Sequence, residues 1–176
     1  ISRIETLGDD GIYYQTVDNF NKDYATGMEV MGNINITKWL LVNASVTAFK
    51  YRLTGEINDE AIDRKSTNWS GRMNTTFKFT SNSRMQIMGN YRAPSISAQG
   101  ESKAMFFTNI SYRHDLLKKK LTATLSVSDP LGTGKYERET FGDNFNSWFR
   151  WKGEPRVVML TLSYKINNGS LRMFNH

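Results

Sequence analysis

Catalysis needs nucleophiles, proton carriers or metal ligands gathered together, and this chain of 176 residues offers few of them. It has two histidines, His114 and His176, and no cysteine, which removes disulfides and thiolate metal sites. His114 follows Tyr112-Arg113 and reads as a turn residue; no Ser, His and Asp set assembles around either histidine. Leu131-Gly-Thr-Gly-Lys135 has the flavour of a phosphate loop. It lacks the full glycine-to-lysine spacing, has Tyr136 where Ser or Thr should follow, and opens no helix, so it reads as loop turns. Asp59, Glu60 and Asp63 are hard oxygen ligands without the EF-hand spacing, and read as solvated loop charge. The sequence therefore predicts no enzyme, no cofactor and no metal centre.

Two other groups stand out. Phe141, Asn144, Phe145, Trp148, Phe149, Arg150 and Trp151 crowd large rings around polar groups within one loop. Such a cluster can stack on a ligand or partner, or sit as an amphipathic belt at lipid headgroup level and pack the loop; the second reading is favoured. Arg72, Lys78, Arg84, Arg92, Arg113 and Lys165 recur on the polar side of alternating segments. They could line a path for anions, although any watery interior carries charge of this kind.

The elements that must hold these residues alternate with period two, the mark of strands with two unlike faces. Val158, Leu160, Leu162, Tyr164 and Ile166 oppose Met159, Thr161, Ser163 and Lys165. Leu121, Ala123, Leu125 and Val127 oppose Thr122, Thr124, Ser126 and Ser128. Leu121, Leu125, Val127, Val158, Leu160, Leu162, Tyr164 and Ile166 are accordingly expected to face lipid. About eight strands are predicted, near 1–7, 24–37, 39–52, 66–80, 83–92, 102–115, 119–128 and 155–166. Most have the ~9–11 residues that a tilted membrane strand needs. Tight connections near Thr37-Lys38, Thr80-Ser81-Asn82 and Asp115 to Lys118 alternate with long ones at Gly8 to Lys22, Gly55 to Arg64, Pro94 to Gly100 and Pro130 to Glu154. Tight turns facing the periplasm and long loops facing outside are the arrangement of outer-membrane barrels.

The totals agree. A mean hydropathy of −0.53 looks soluble, but a membrane barrel hides its apolar residues at every second position. The most apolar stretch, Trp39 to Ala48, is broken by Asn43, Ser45 and Thr47, so no membrane helix is expected. A net charge of +6 would suit nucleic acid, yet the cations are scattered, apart from Lys118-Lys119-Lys120, and no nucleic-acid fingerprint accompanies them. A soluble antiparallel barrel or sandwich would alternate in the same way; against it stand the bulky polar residues of the inward face, which a small core could not bury without partners.

In order along the chain, Ile1-Ser-Arg-Ile-Glu-Thr, Thr16-Val-Asp-Asn-Phe, Gly27-Met-Glu, Tyr91-Arg-Ala-Pro, Gln99-Gly, Leu121-Thr-Ala-Thr-Leu-Ser-Val-Ser-Asp129-Pro and Leu160-Thr-Leu-Ser-Tyr-Lys-Ile resemble the C-terminal part of TonB-dependent receptors, within the outer membrane protein β-barrel family. The closing strand, with its late aromatic Tyr164, also resembles the signal read by the barrel-assembly machinery. The resemblance implies an all-β fold of antiparallel transmembrane strands from a bacterial outer membrane, part of a barrel of ~22 strands closed around an N-terminal plug. It assigns residues 1–168 to the C-terminal wall and leaves 169–176 as a tail of unknown role. It implies a nutrient-uptake receptor with outer-membrane lipid, the rest of the barrel and plug, an inner-membrane energy-coupling protein reached through the plug, and a surface lipoprotein as partners, and no nucleic acid. Neither a plug nor an energy-coupling box reads in this chain, which is expected to begin inside a larger protein. A freestanding barrel of ~8 strands with a structural or assembly role is the alternative.

Overall fold

A strand with one greasy and one polar face can satisfy its backbone only through its neighbours, and the pairing follows that demand throughout. The computed structural model describes residues 2–18, 22–57, 60–97, 99–142 and 144–166. Among these residues no helix is long and apolar enough to cross a membrane. All regular structure is antiparallel strand: β1 (Ser2–Leu7), β2 (Tyr13–Asp18), β3 (Lys22–Asn35), β4 (Leu40–Ile57), β5 (Glu60–Lys78), β6 (Ser83–Arg92), β7 (Ser95–Ser97), β8 (Gly100–Ser102), β9 (Met105–Leu116), β10 (Leu121–Ser128), β11 (Lys135–Phe141), β12 (Asn146–Lys152) and β13 (Val157–Tyr164).

Seven of these form one wall in the order β13-β10-β9-β6-β5-β4-β3. Its three turns, β3 to β4, β5 to β6 and β9 to β10, are tight and lie on one side. The β9 to β10 turn places Leu117, Lys118 and Lys119 at positive φ, the handedness that suits short hairpins. The wall is an open sheet in this chain, with β3 and β13 as its free edges.

Among the described residues thirteen strands replace the expected eight, because the long connections carry pairing of their own. β7, β8, β11 and β12 build a four-stranded sheet in the order β12-β11-β8-β7 on the long-loop side. Gly55 to Arg64 is no loop: β4 and β5 stay paired to Ile57↔Glu60, far past the wall. The expected first wall strand is also corrected. Residues 2–7 pair with β2 in a separate hairpin, and β2 lies within what reads as the Gly8 to Lys22 loop. Turn chemistry explains the miss: Gly11 at a φ of 76° and Asp10, whose Oδ1 accepts from the Ile12 amide at 3.0 Å, close a short hairpin that looks like loop composition. The tail from Asn167 onward, Asp59 and residues 19–21 lie outside the described residues.

Candidate functional site: the two faces of the wall and its outer sheet

Residues opposite one another in an antiparallel ladder share a face, so the register sorts the side chains without further assumption. One row runs Ile34, Val42, Thr75, Ile87, Ile110, Val127, Val158; another runs Leu40, Phe77, Met85, Tyr112, Leu125, Leu160. Leu162 and Tyr164 oppose Ala123 and Leu121 on this same apolar face, and Ile166 lies just past the end of β13. The reverse face carries Asn33, Asn43, Asn74 and Asn109 across four strands, with Ser126 and Ser128 beyond.

Arg72, Lys78, Arg84, Arg92 and Arg113 all fall on that polar face. Lys78, Arg84 and Arg113 stand directly opposite one another on β5, β6 and β9. Arg113 is neutralised locally, donating to Asp115 Oδ1 at 3.0 and 3.1 Å, and Thr122 donates to the same oxygen at 2.7 Å. Arg72 donates to Asn90 Oδ1 at 2.8 Å. Lys165 lies past the end of β13, where its amide donates to the Lys120 carbonyl.

Aromatic rings on the apolar face fall into two bands. Trp69 packs on Tyr91 at 4.6 Å near the outer end, with Phe106 paired beside Tyr91. At the turn end, Trp39 stacks on Phe77 at 6.3 Å, and Phe79 meets Tyr112 at 6.4 Å. The ten residue steps from Trp69 to Phe79 rise ~34 Å, or ~26 Å along the normal of a wall tilted ~40°. A transmembrane barrel shows an apolar band ~25 Å tall between aromatic girdles. His114 is not a turn residue: it pairs with Ser83 and Ala123 inside β9 and stacks on Tyr112.

The loop aromatics are placed elsewhere. Phe145 meets Tyr13 edge-on at 5.5 Å, and Asn144 Nδ2 donates to the Leu7 carbonyl at 3.3 Å, so both pin the β1–β2 hairpin. Phe141 ends β11, its amide donating to the Gln99 carbonyl. Trp148, Phe149, Arg150 and Trp151 lie on β12, the edge of the outer sheet, and not on the wall's apolar face. Trp148 and Arg150 share one face, with the Arg150 guanidinium 4.8 Å above the Trp148 ring. Phe149 and Trp151 share the other with Tyr136, whose hydroxyl bonds Ser102 Oγ. Trp148, Phe149 and Trp151 stay more than half exposed, able to stack on a flat apolar surface from outside.

Beneath Arg150, Glu137 is covered and takes two cations, Arg150 at 2.6 Å and Lys135 at 3.0 Å. Hydrogen bonds from Arg150 first, then Lys135, hold its carboxyl below the usual carboxylate range, although burial pushes the other way. The Leu131-Gly-Thr-Gly stretch cradles an anion of its own. The amides of Thr133 and Gly134 donate to Asp129 at 3.0 and 2.9 Å, which closes the loop on itself. The carboxylate group at Asp63 is engaged as well, held by Arg52 through two bonds of 2.9 Å. Among the described residues no three His, Asp or Glu side chains gather as a metal site.

A family model described as the outer membrane protein beta-barrel family matches residues 1–164. The chain belongs to this outer membrane protein β-barrel family. Its place is therefore the bacterial outer membrane. None of the curated proteins and none of the solved structures compared matches the chain.

Within this family member, the motif that sequence reading left without a role is Gln99-Gly100. The Gln99 side chain acts as a piece of strand: Oε1 accepts from the Glu5 amide at 2.8 Å and Nε2 donates to the Glu5 carbonyl at 3.1 Å. Gly100 lies so close to β11 that a Cβ would collide with the Glu139 carbonyl. Gly27 has the same standing on β3, against Ala48 and Phe49. The sequence signal available was a lone Gln-Gly pair in a loop, which by itself names neither partner.

Gln99→Ala removes both bonds to Glu5 and leaves the hairpin held, among the described residues, by Phe145 and Asn144. Amide hydrogen exchange across residues 2–7 and 13–18 is expected to speed up about ten- to a hundredfold, as for a loss of ~1–3 kcal/mol, while the wall amides are unchanged. Protonation of Glu137 is the second expectation. Because its folded pKa lies below the unfolded value of 4.5, its ion pairs hold the β11–β12 hairpin fully above that pH and are lost as the pH falls through the folded value. An acid transition in tryptophan fluorescence below pH 4.5 is expected in the parent, and Glu137→Gln should lack it.

Proposed function

We propose that this chain is the C-terminal wall and outer loops of a TonB-dependent type transport receptor for nutrient uptake. Its apolar face meets lipid through Leu121, Leu125, Val127, Val158, Leu160, Leu162, Tyr164 and Ile166. Its polar face, with Arg72, Lys78, Arg84, Arg92 and Arg113, meets water and a plug. The observation that carries the reading is the direction of the wall's edge strands. Seven antiparallel strands leave β3 and β13 running the same way, so joining them would need a parallel pair, and an even, all-antiparallel barrel needs further strands between them. A freestanding barrel of about eight strands would need one more wall strand, and β1 and β2 pair with each other in a separate hairpin instead of supplying it.

Supporting this are the ordered motifs and the structured outer sheet. Gly27, Gln99-Gly100 and Asp129-Pro130 fall where backbone closeness or loop closure requires them. The aromatic rings of β12 stand at the outer mouth, the position from which a receptor meets a solute or a surface lipoprotein. Energy would enter through a plug contacting an inner-membrane coupling protein, and substrate chemistry would be fixed by loops together with that plug.

Placement against lipid is tested by charge. Ile110→Arg, near the middle of the apolar band, should cost ~2–4 kcal/mol in denaturant unfolding of the bilayer-reconstituted protein, and its neighbour Ser111→Arg less than ~1 kcal/mol. Equal costs at the two sites would contradict the assignment of faces. For the receptor role, intact mass of the protein extracted from the outer-membrane fraction is expected to be several times 20.2 kDa. Deletion of the gene, and separately of the energy-coupling system, should abolish growth on the same limiting nutrient. A protein of about this chain's own mass, or growth indifferent to energy coupling, would contradict the receptor.

A further inference from the structure

The apolar face does not end at its outer aromatic band. β4 and β5 continue beyond Trp69 and Ala48 as a paired ribbon, and on the same face the next rows read Thr26, Lys50, Thr67 and then Tyr24, Arg52, Lys65. Together these residues line a groove of about 430 Å³. Lys50, Arg52 and Lys65 are exposed. Among the described residues one carboxylate pairs with them: Asp63, bound twice by Arg52 and lying 3.8 Å from Lys65. Lys50 has no acidic partner within ion-pair distance among the described residues.

The height of this groove selects its occupant. Lys50 stands two residues outward of Trp69's partner Ala48, and Lys65 four outward of Trp69 itself. At ~3.4 Å per residue and a tilt of ~40° these steps are ~5 and ~10 Å above the aromatic band. Headgroups add roughly 5–8 Å to each side of the hydrocarbon, so Lys50 lies within that layer and Lys65 just beyond it, where a long side chain reaches back to it. The groove is thus continuous with the membrane face of the wall, on which six of its eight lining residues lie, and those six carry excess positive charge.

We propose that Lys50 and Lys65, beside Tyr24, form a site for the phosphate-bearing headgroup of an anionic lipid in the outer leaflet. Arg52 serves as a positioning residue, fixed by Asp63 and closing the floor of the groove between the two lysines. The site needs only the membrane placement of the wall, and stands whether or not the barrel imports a nutrient.

Native mass spectrometry of the full-length protein, released from vesicles of phosphatidylcholine with or without phosphatidylglycerol, tests it. Retention of phosphatidylglycerol over phosphatidylcholine is expected. The double variant Lys50→Gln/Lys65→Gln should weaken that retention about ten- to thirtyfold, and Lys50→Arg/Lys65→Arg should restore it. Lys78→Gln/Arg84→Gln, on the polar face, should leave it unchanged. Heat-modifiable migration on gels checks that each variant is folded, and the Arg pair keeps the test decisive if the Gln pair is not. Equal retention of the two lipids, loss in the polar-face variant as large as in the groove variant, or displacement of the lipid by millimolar inorganic phosphate in place of lipid selectivity would overturn the proposal.

Discussion

Everything in this chain depends on the fact that a backbone in hydrocarbon has no water to bond. Each amide and carbonyl of the wall must find its partner on a neighbouring strand. Side chains are then free to differ between faces, and the ladder carries that difference from strand to strand. The rows of Ile, Val and Leu on one side, and of Asn, Ser and Arg on the other, are the visible outcome of one pairing rule applied six times between seven strands.

The same rule made the wall legible in the sequence. The alternation from Val158 to Lys165 and from Leu121 to Ser128 could not be mistaken for a helix, and both strands lie where that pattern puts them. The tight turns at 37–38 and 80–82 followed from breaks in the same pattern. What escaped was pairing outside the hydrocarbon, where water relaxes the demand for greasy residues. The β11–β12 hairpin has Glu137, Arg138 and Glu139 in mid-strand, and the β4–β5 ribbon has Arg52, Asp63 and Lys65; neither alternates by polarity. A loop and a solvated hairpin therefore have the same composition, and only the partner strand tells them apart.

The candidate site shows a similar division. Arg72, Lys78, Arg84, Arg92 and Arg113 share one face of the wall, because a strand position fixes its face. The loop aromatics were grouped by sequence but divided by structure: Phe141 and Phe145 with Asn144 hold the loops together, whereas Trp148, Phe149 and Trp151 stay exposed on an edge strand. Nearness in sequence within a loop says little about shared surroundings. The wall's aromatic bands are built instead from Trp39, Phe79, Trp69 and Tyr91, single residues on or just beside the neighbouring strands β4, β5 and β6.

The clasp between Gln99 and Glu5 bridges ninety-four positions of the chain. The β1–β2 hairpin, which precedes them in the chain, therefore waits for its last contacts until β7, β8 and the loop around Asn144 exist. Contacts that distant are slow to form, since the intervening chain must first be ordered. The mouth is thus completed late in assembly, by contacts that close only after the wall strands between Leu7 and Gln99 have found their neighbours.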